Sequence, residues 1–460
     1  MQSLNLPRKR SASRSGPNRT LYASPKRPRK GMLYIVLGAG GGQLAALVSA
    51  PIISRQYSPD DVGVFSVLSA VAFAVAVVAA LRFELAVTLP RDDSEAAALV
   101  RLGICSTLAT GFIGATLAVV FGDDVAEAAG QRRLGAWLPA APILAAIIGI
   151  FSVYNQLALR RRDFGAVGGR NALNGIVTAA TQVLAGVLGY RSGGLVVGFG
   201  AGQTAGIAAL VTRSSKAGKG DKITLSEMRS AVVRYRRFPL VSVPAGLLNV
   251  AGLQFPIIAI SMMYGSSVAG WLGMTQRVLA LPMSLLGMAV SQVFLAELSR
   301  SIRTGEGAPK TIFGSASRRL FVLGTLAIVV TLLAGPALFT RFLGAQWEVS
   351  GQYAQALSLA LGPQLCASPL SQTMIAYERQ WMQLLWDIGR LIIVSAAILV
   401  ADLLWHSPLA TIWALGAASG AAYGASWLMS YWTISAADRG LIALPATADL
   451  QHPRTSNVAQ

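Results

Sequence analysis

The chain has 460 residues, 53% hydrophobic and 13% charged, with a mean hydropathy of +0.54. A soluble protein carries about 25% charged residues, so a water-soluble globular fold is excluded and an all-α, polytopic membrane protein is expected. The net charge of +19 would suit a nucleic-acid binder if it formed one patch. It is instead spread along the chain in a topogenic pattern, and no nucleic-acid partner is expected.

Residues 1–30 carry Arg8-Lys9-Arg10 and Lys26-Arg27-Pro28-Arg29-Lys30 among Ser and Pro and read as a disordered, basic cytoplasmic tail. Two readings stand for it. One is contact with anionic membrane lipid, at ~1 kcal/mol per basic residue near the surface. The other is an orientation signal, or an extension upstream of a start at Met32. Val48-Ser49-Ala50 resembles a signal-peptide cleavage site, but Pro51 follows and the apolar run is too long for one.

About twelve apolar segments follow, near 32–53, 62–81, 97–121, 135–158, 168–189, 193–212, 239–263, 268–295, 320–340, 353–376, 384–404 and 409–433. Each is long enough to cross a ~30 Å hydrocarbon core as a helix. The connection at 213–238 is polar and basic, with Ser214, Ser215, Gly218 and Gly220, and reads as a solvated cytoplasmic linker. It divides an N-lobe of six helices (31–212) from a C-lobe of six (239–435), and 436–460 forms a second cytoplasmic tail. Most of the 39 Lys and Arg fall in the tails and on every second connection. The alternate connections hold only Arg55, Arg132, Arg133, Arg191 and Arg341. Arg160, Arg161, Arg162 and Arg170 count with the basic connection that follows the fourth segment. By the positive-inside rule both termini are cytoplasmic.

The halves look related. Tyr57 to Phe65 superposes on Tyr264 to Leu272 at a shift of 207, which pairs Gly63 with Gly270. Gly198, Gly202 and Gly206 of the sixth segment match Gly416, Gly420 and Gly424 of the twelfth, and such small-residue combs let helix backbones approach closely in lipid. Repeats in the same orientation, with a pathway between them, are a transporter architecture.

Sites for chemistry are scarce. Gly38-Ala39-Gly40 after an apolar run suggests a dinucleotide loop, but Gln43 stands where the third glycine belongs; these glycines instead allow close packing or bending of the first helix. Lys216 to Lys222 lacks a phosphate-loop pattern. Asp60-Asp61, Asp92-Asp93 and Asp123-Asp124 fall on both sides of the membrane and read as caps and turns. Cys105, Cys366, His406 and His452 build no disulfide or metal site. No enzyme, cofactor or metal is expected.

Candidate residues are the charges and amides inside segments. Arg277, beside Gln276, lies too deep in the eighth segment for easy escape; it faces a cavity, or it pairs with an acid or snorkels. Arg82 and Glu84 gate a cavity at the cytoplasmic side or form a membrane-edge ion pair. Asp387 and Arg390, three apart on one helical face, pair with each other or line the cavity as coupling and binding groups. Asn249 and Gln254 are further cavity candidates.

At these residues the chain resembles a known family. Tyr57-Ser58-Pro59-Asp60-Asp61-Val62-Gly63-Val64-Phe65, Leu81-Arg82-Phe83-Glu84-Leu85-Ala86, Phe238-Pro239-Leu240 through Gln254, and Gln276-Arg277-Val278-Leu279-Ala280-Leu281-Pro282 with Ser291-Gln292-Val293-Phe294 are similar to the bacterial polysaccharide-biosynthesis flippases of the multidrug/oligosaccharidyl-lipid/polysaccharide exporter superfamily. The resemblance covers about residues 32–435. It implies twelve helices in two lobes, alternating access, and an undecaprenyl-pyrophosphate-linked glycan as substrate in a cationic cavity, for exopolysaccharide, capsule or O-antigen (lipopolysaccharide) synthesis. A polysaccharide polymerase and a chain-length regulator are the protein partners it suggests, with membrane lipids around it. A multidrug cation exporter of the same superfamily, a membrane glycan polymerase or ligase, and a structural scaffold are the alternatives. Reporter fusions after Arg133 and after Arg237 should report opposite sides, outside and inside respectively; both on one side would overturn the topology.

Overall fold

The computed structural model describes residues 28–128, 132–215, 224–304 and 308–439. The tails at 1–27 and 440–460 and the middle of the linker at 216–223 lie outside the described residues. The first half comprises α1 (Pro28–Gln56), α2 (Pro59–Ala79), the single turn α3 (Phe83–Ala86), α4 (Asp93–Ala128), the turn α5 (Arg132–Gly135), α6 (Ala140–Arg160), α7 (Phe164–Val187) and α8 (Arg191–Ser215). Helix α9 (Leu225–Arg234) sits in the long connection. The second half comprises α10 (Val243–Tyr264), α11 (Ser266–Thr304), α12 (Pro309–Leu343), α13 (Glu348–Leu370), the short α14 (Gln372–Ala376), α15 (Gln380–Trp405) and α16 (Pro408–Asp438). Among the described residues the regular structure is entirely helical, in a multi-pass bundle of twelve long helices, six per half.

Among the described residues, eight long helices are apolar enough to cross a membrane by length and composition alone. Helices α7, α13 and α16 are less continuously apolar, and they spend polar side chains on protein neighbours rather than lipid: Gln182, Ser350, Ser358, Ser430 and Thr433 are all buried. A helix whose polar face meets protein need not read as continuously apolar.

Packing between the helices repeats across the halves. α1 packs on α7 as α10 does on α15; α4 on α6 as α12 on α13; α6 on α8 as α13 on α16; and α2 on α10 as α11 on α1. The repeat read from the sequence meets itself on the axis between the halves. A Cβ on Gly63 would strike the main chain at Ser266 and Gly270, and one on Gly270 would strike Pro59 and Gly63. The glycine combs are different. Gly198 and Gly202 face α7, whereas Gly416 and Gly420 face α13, so their shared spacing does not reflect equivalent surroundings. The first-helix glycines do serve close packing, with Gly38 and Gly42 against Gly168, Asn171 and Gly175 of α7.

The halves close at the end bearing the short connections. Ser58 and Asp61 form a capping box that starts α2, and Asp60 accepts a hydrogen bond from the Ser266 hydroxyl that opens α11. Trp347, fully buried, donates from Nε1 to the Ser54 carbonyl at 2.8 Å, and Ser54 Oγ donates to Leu343 at 2.9 Å. Two apolar clusters span the halves here, one joining Val64 and Val67 to Ile257 and Leu272, the other Ile53 and Tyr57 to Met274 and Phe339. At the opposite, basic end the clusters separate. Ala80, Phe83 and Leu99 gather in the first half, with Phe238 as an outlier from the second, while Phe294, Phe313 and Ile434 gather in the other half. Apolar contact between the halves is thus concentrated at the end away from the basic connections.

The long connection is not wholly solvated. Thr224 and Glu227 cap α9; Ala231, Met228 and Tyr235 dock on the first half, and Arg234 pairs with Glu95 at 2.9 Å. In a variant lacking Cys105 and Cys366, the pair Asp60→Cys and Ser266→Cys should cross-link readily, and Gly63→Val should abolish that cross-link by forcing the backbones apart.

Candidate functional site

Arg277 stands eleven residues into α11, about 16 Å along the helix from its start, and is half-buried. Its Nη2 donates to Oε1 of Gln182, on α7 of the other half, at 3.0 Å. Gln182 is itself held: its Nε2 donates to the Leu195 carbonyl at 3.0 Å, and the Tyr57 hydroxyl donates to its main-chain carbonyl at 2.7 Å. Among the described residues no carboxylate reaches Arg277. The guanidinium therefore faces a neutral amide across the seam between the halves. Gln276 beside it is exposed and takes no part in this bond.

Three other predicted residues converge inside the second half. Asn249 of α10 donates to Asp387 Oδ1 at 2.9 Å, and Arg390 donates from Nη2 to that same oxygen at 3.3 Å and to the Asn249 carbonyl at 3.2 Å. The Arg390 guanidinium lies 4.6 Å over the Trp386 ring, and Gly252 leaves the space it occupies. Asp387 and Arg390 are 6% and 5% exposed, so this is a buried ion pair that largely satisfies itself. Gln254, one turn beyond Asn249, is half-buried and lies outside the cluster.

Arg82 and Glu84 form an ion pair at 3.5 Å on α3, at the basic end. Leu81 and Arg82 both adopt left-handed backbone, φ 50° and 59°, a conformation costing about 1–3 kcal/mol for each such residue. The bend presses the Arg82 guanidinium against Gly246 of α10, bridging the halves where they otherwise part. Burial pushes the Glu84 carboxyl above its ordinary range, against the opposing pull of Arg82.

Two residues escaped the sequence reading. Gln182 carries no pattern that marks it, since its partner is 95 positions away. Arg170 was counted with a basic connection because it follows Arg160, Arg161 and Arg162. In the structure it lies inside α7 and is 8% exposed. Its place within the apolar run from 168 was the signal available.

The family described as polysaccharide biosynthesis protein matches residues 52–352. No curated protein sequence matches the chain. Among solved structures, the lipid II flippase MurJ in an inward closed conformation is 11% identical, with TM-score 0.67 over 88% of this chain and 87% of that one. An inward-facing multidrug resistance MATE family transporter of the MOP superfamily is 14% identical, with TM-score 0.59 over 89% and 96%. A MOP superfamily transporter from Pyrococcus furiosus is 15% identical, with TM-score 0.57 over 89% and 97%. At such identities the likeness shows the shared fold, a polytopic helical bundle of two lobes.

The Asp387–Arg390 pair makes a separate expectation. Arg390→Ala leaves a buried carboxylate unmatched and should cost ~3–5 kcal/mol, read as a lower thermal midpoint and less protein in the membrane. Adding Asp387→Ala should restore much of both.

Proposed function

Because this chain belongs to the polysaccharide biosynthesis protein family, we propose that it is a flippase for undecaprenyl-pyrophosphate-linked oligosaccharide units, working by alternating access across the cytoplasmic membrane. It acts by binding and moving its substrate rather than by catalysing a covalent step. The observation that carries the reading is Arg277, a cation on the seam between the lobes whose only polar partner among the described residues is the neutral Gln182 amide. A lipid-linked pyrophosphate is a fixed anion that must cross a low-dielectric core. A guanidinium offsets its lost hydration with charge-assisted, two-pronged hydrogen bonds, about twice as strong as neutral ones.

That difference supplies a coupling. A phosphate oxygen outcompetes the Gln182 oxygen for Arg277, and the exchange releases α11 from α7 near the closed end. With the basic end cytoplasmic, the halves share least apolar contact on the inner side, where substrate would enter, and loss of the Arg277–Gln182 bond favours opening on the outer side. Arg82, pressed on Gly246, then acts as the cytoplasmic-side contact between the lobes. The polyprenyl tail stays in lipid while the glycan crosses in water, for delivery to a polymerase and its chain-length regulator. Multidrug cation export finds less support, since the deep carboxylate Asp387 is already matched by Arg390.

Arg277→Ala should abolish surface glycan while membrane abundance holds. Arg277→Lys should rescue in part, keeping the charge but losing the planar fork. Arg277→Glu should be worse than alanine. Glycan export by Arg277→Glu at the parent level would refute the role, and disappearance of the alanine variant from the membrane would make Arg277 a structural residue instead.

A further inference from the structure

We infer that the interior of the N-lobe contains a second anion site, centred on Arg170 and separate from the seam where Arg277 lies. The ligand class is a phosphate group or a small inorganic anion. Arg170 is 8% exposed, and its Cζ sits 4.2 Å over the ring of Phe151 on α6. Its Nε and Nη1 find no hydrogen-bond partner, and among the described residues no carboxylate lies within ion-pair distance.

The other arginines drawn into the bundle are answered by oxygen. Arg390 has Asp387 and the Asn249 carbonyl, Arg82 has Glu84, Arg277 has Gln182, and Arg160 has Asp93 with the Val87 and Pro90 carbonyls. Arg170 alone of these has only an aromatic face. A ring attracts the cation but accepts none of its five N–H bonds in the way an oxygen does. A buried guanidinium left so is costly, and such residues in membrane helices mark ligand and ion sites.

The neighbours suit an anion as well. Asn155 lies one turn from Phe151 on the same side of α6, and its Oδ1 is also buried without a partner; rotating that amide presents its NH₂ donors instead. One turn beyond Arg170, Asn174 donates to Gln203 of α8 at 3.4 Å, continuing a polar strip along α7. Guanidinium and amide donors, with no acid among them, select a ligand rich in acceptors. A metal cation or a protonated amine would be repelled.

The test uses the purified full chain in detergent, with thermal unfolding followed against inorganic pyrophosphate, phosphate or chloride, each replacing gluconate at fixed ionic strength. A ligand that binds the folded state raises the midpoint in a saturable way. Arg277→Ala, which lacks the seam cation, should still show the rise, whereas Arg277→Ala combined with Arg170→Gln should show none. Arg170→Lys, which keeps the charge, should need several-fold more anion, and it serves in place of Arg170→Gln should that variant fail to accumulate. Response to pyrophosphate and phosphate but not chloride identifies a phosphate-group site of the kind a lipid headgroup fills; an equal response to chloride identifies a free-anion site. An unresponsive parent, or a response unchanged in the Arg170 variants and lost in Arg277→Ala, overturns the inference.

Discussion

Where α2 and α11 touch, Pro59 and Ser266 come so near to Gly270 and Gly63 that a methyl group on either glycine would meet main chain. Side chains can repack, but two backbones in contact have no softer state to fall into, so this point sets how the lobes stand to each other. Much of the closed end follows from it. The capping box of Ser58 and Asp61 fixes where α2 begins, the Asp60–Ser266 bond fixes where α11 begins, and Trp347 fills the space beside them. A contact on the axis between two similar lobes can serve as a pivot, because rotation about it changes the far ends most and the near end least. The far ends are where the apolar clusters stop being shared.

Lipid imposes the second constraint, which is that charge inside the bundle must be answered. The second half answers within itself, as Asn249, Asp387 and Arg390 make a closed set. At the seam Arg277 is answered by a neutral amide from the other half, a weaker match than a carboxylate. At the basic end Arg82 meets Glu84 only by way of two left-handed residues. Ordered by how well the charge is matched, these sites run from the ion pair inside the second half to the neutral-amide contact, which lies between the lobes.

Much of this architecture is legible in the sequence because it depends on composition and period. Twelve apolar runs become twelve long helices, although the run drawn at 268–295 extends as α11 to Ser266–Thr304, since helices continue past the hydrocarbon into water. The repeat at a shift of 207 is real in space, and Asp387 with Arg390 could be paired from their spacing alone. What fails is whatever depends on neighbours distant in sequence. Nothing near Arg277 points to Gln182. The glycine combs share a spacing but face different helices, because a comb records only that some backbone comes close. Arg170 was misplaced because a preceding run of arginines blurred where the helix begins.

The lobes, alike in packing, thus differ in charge. In the C-lobe the arginine on α15 has a carboxylate one turn back, so that pair is matched without help from the other half. In the N-lobe the arginine on α7, the helix that corresponds to α15 in the packing pattern, has a phenylalanine ring in place of that acid. In the alternating cycle proposed above, lobes with the same frame but differently matched charges would not be equivalent partners. An N-lobe that took up an anion at Arg170 would change its electrostatic state with its ligand, whereas the self-paired Asp387 and Arg390 would not. Gln182 and Arg170 occupy the same helix, α7, so the seam contact and the unmatched charge are carried on one element, about three turns apart.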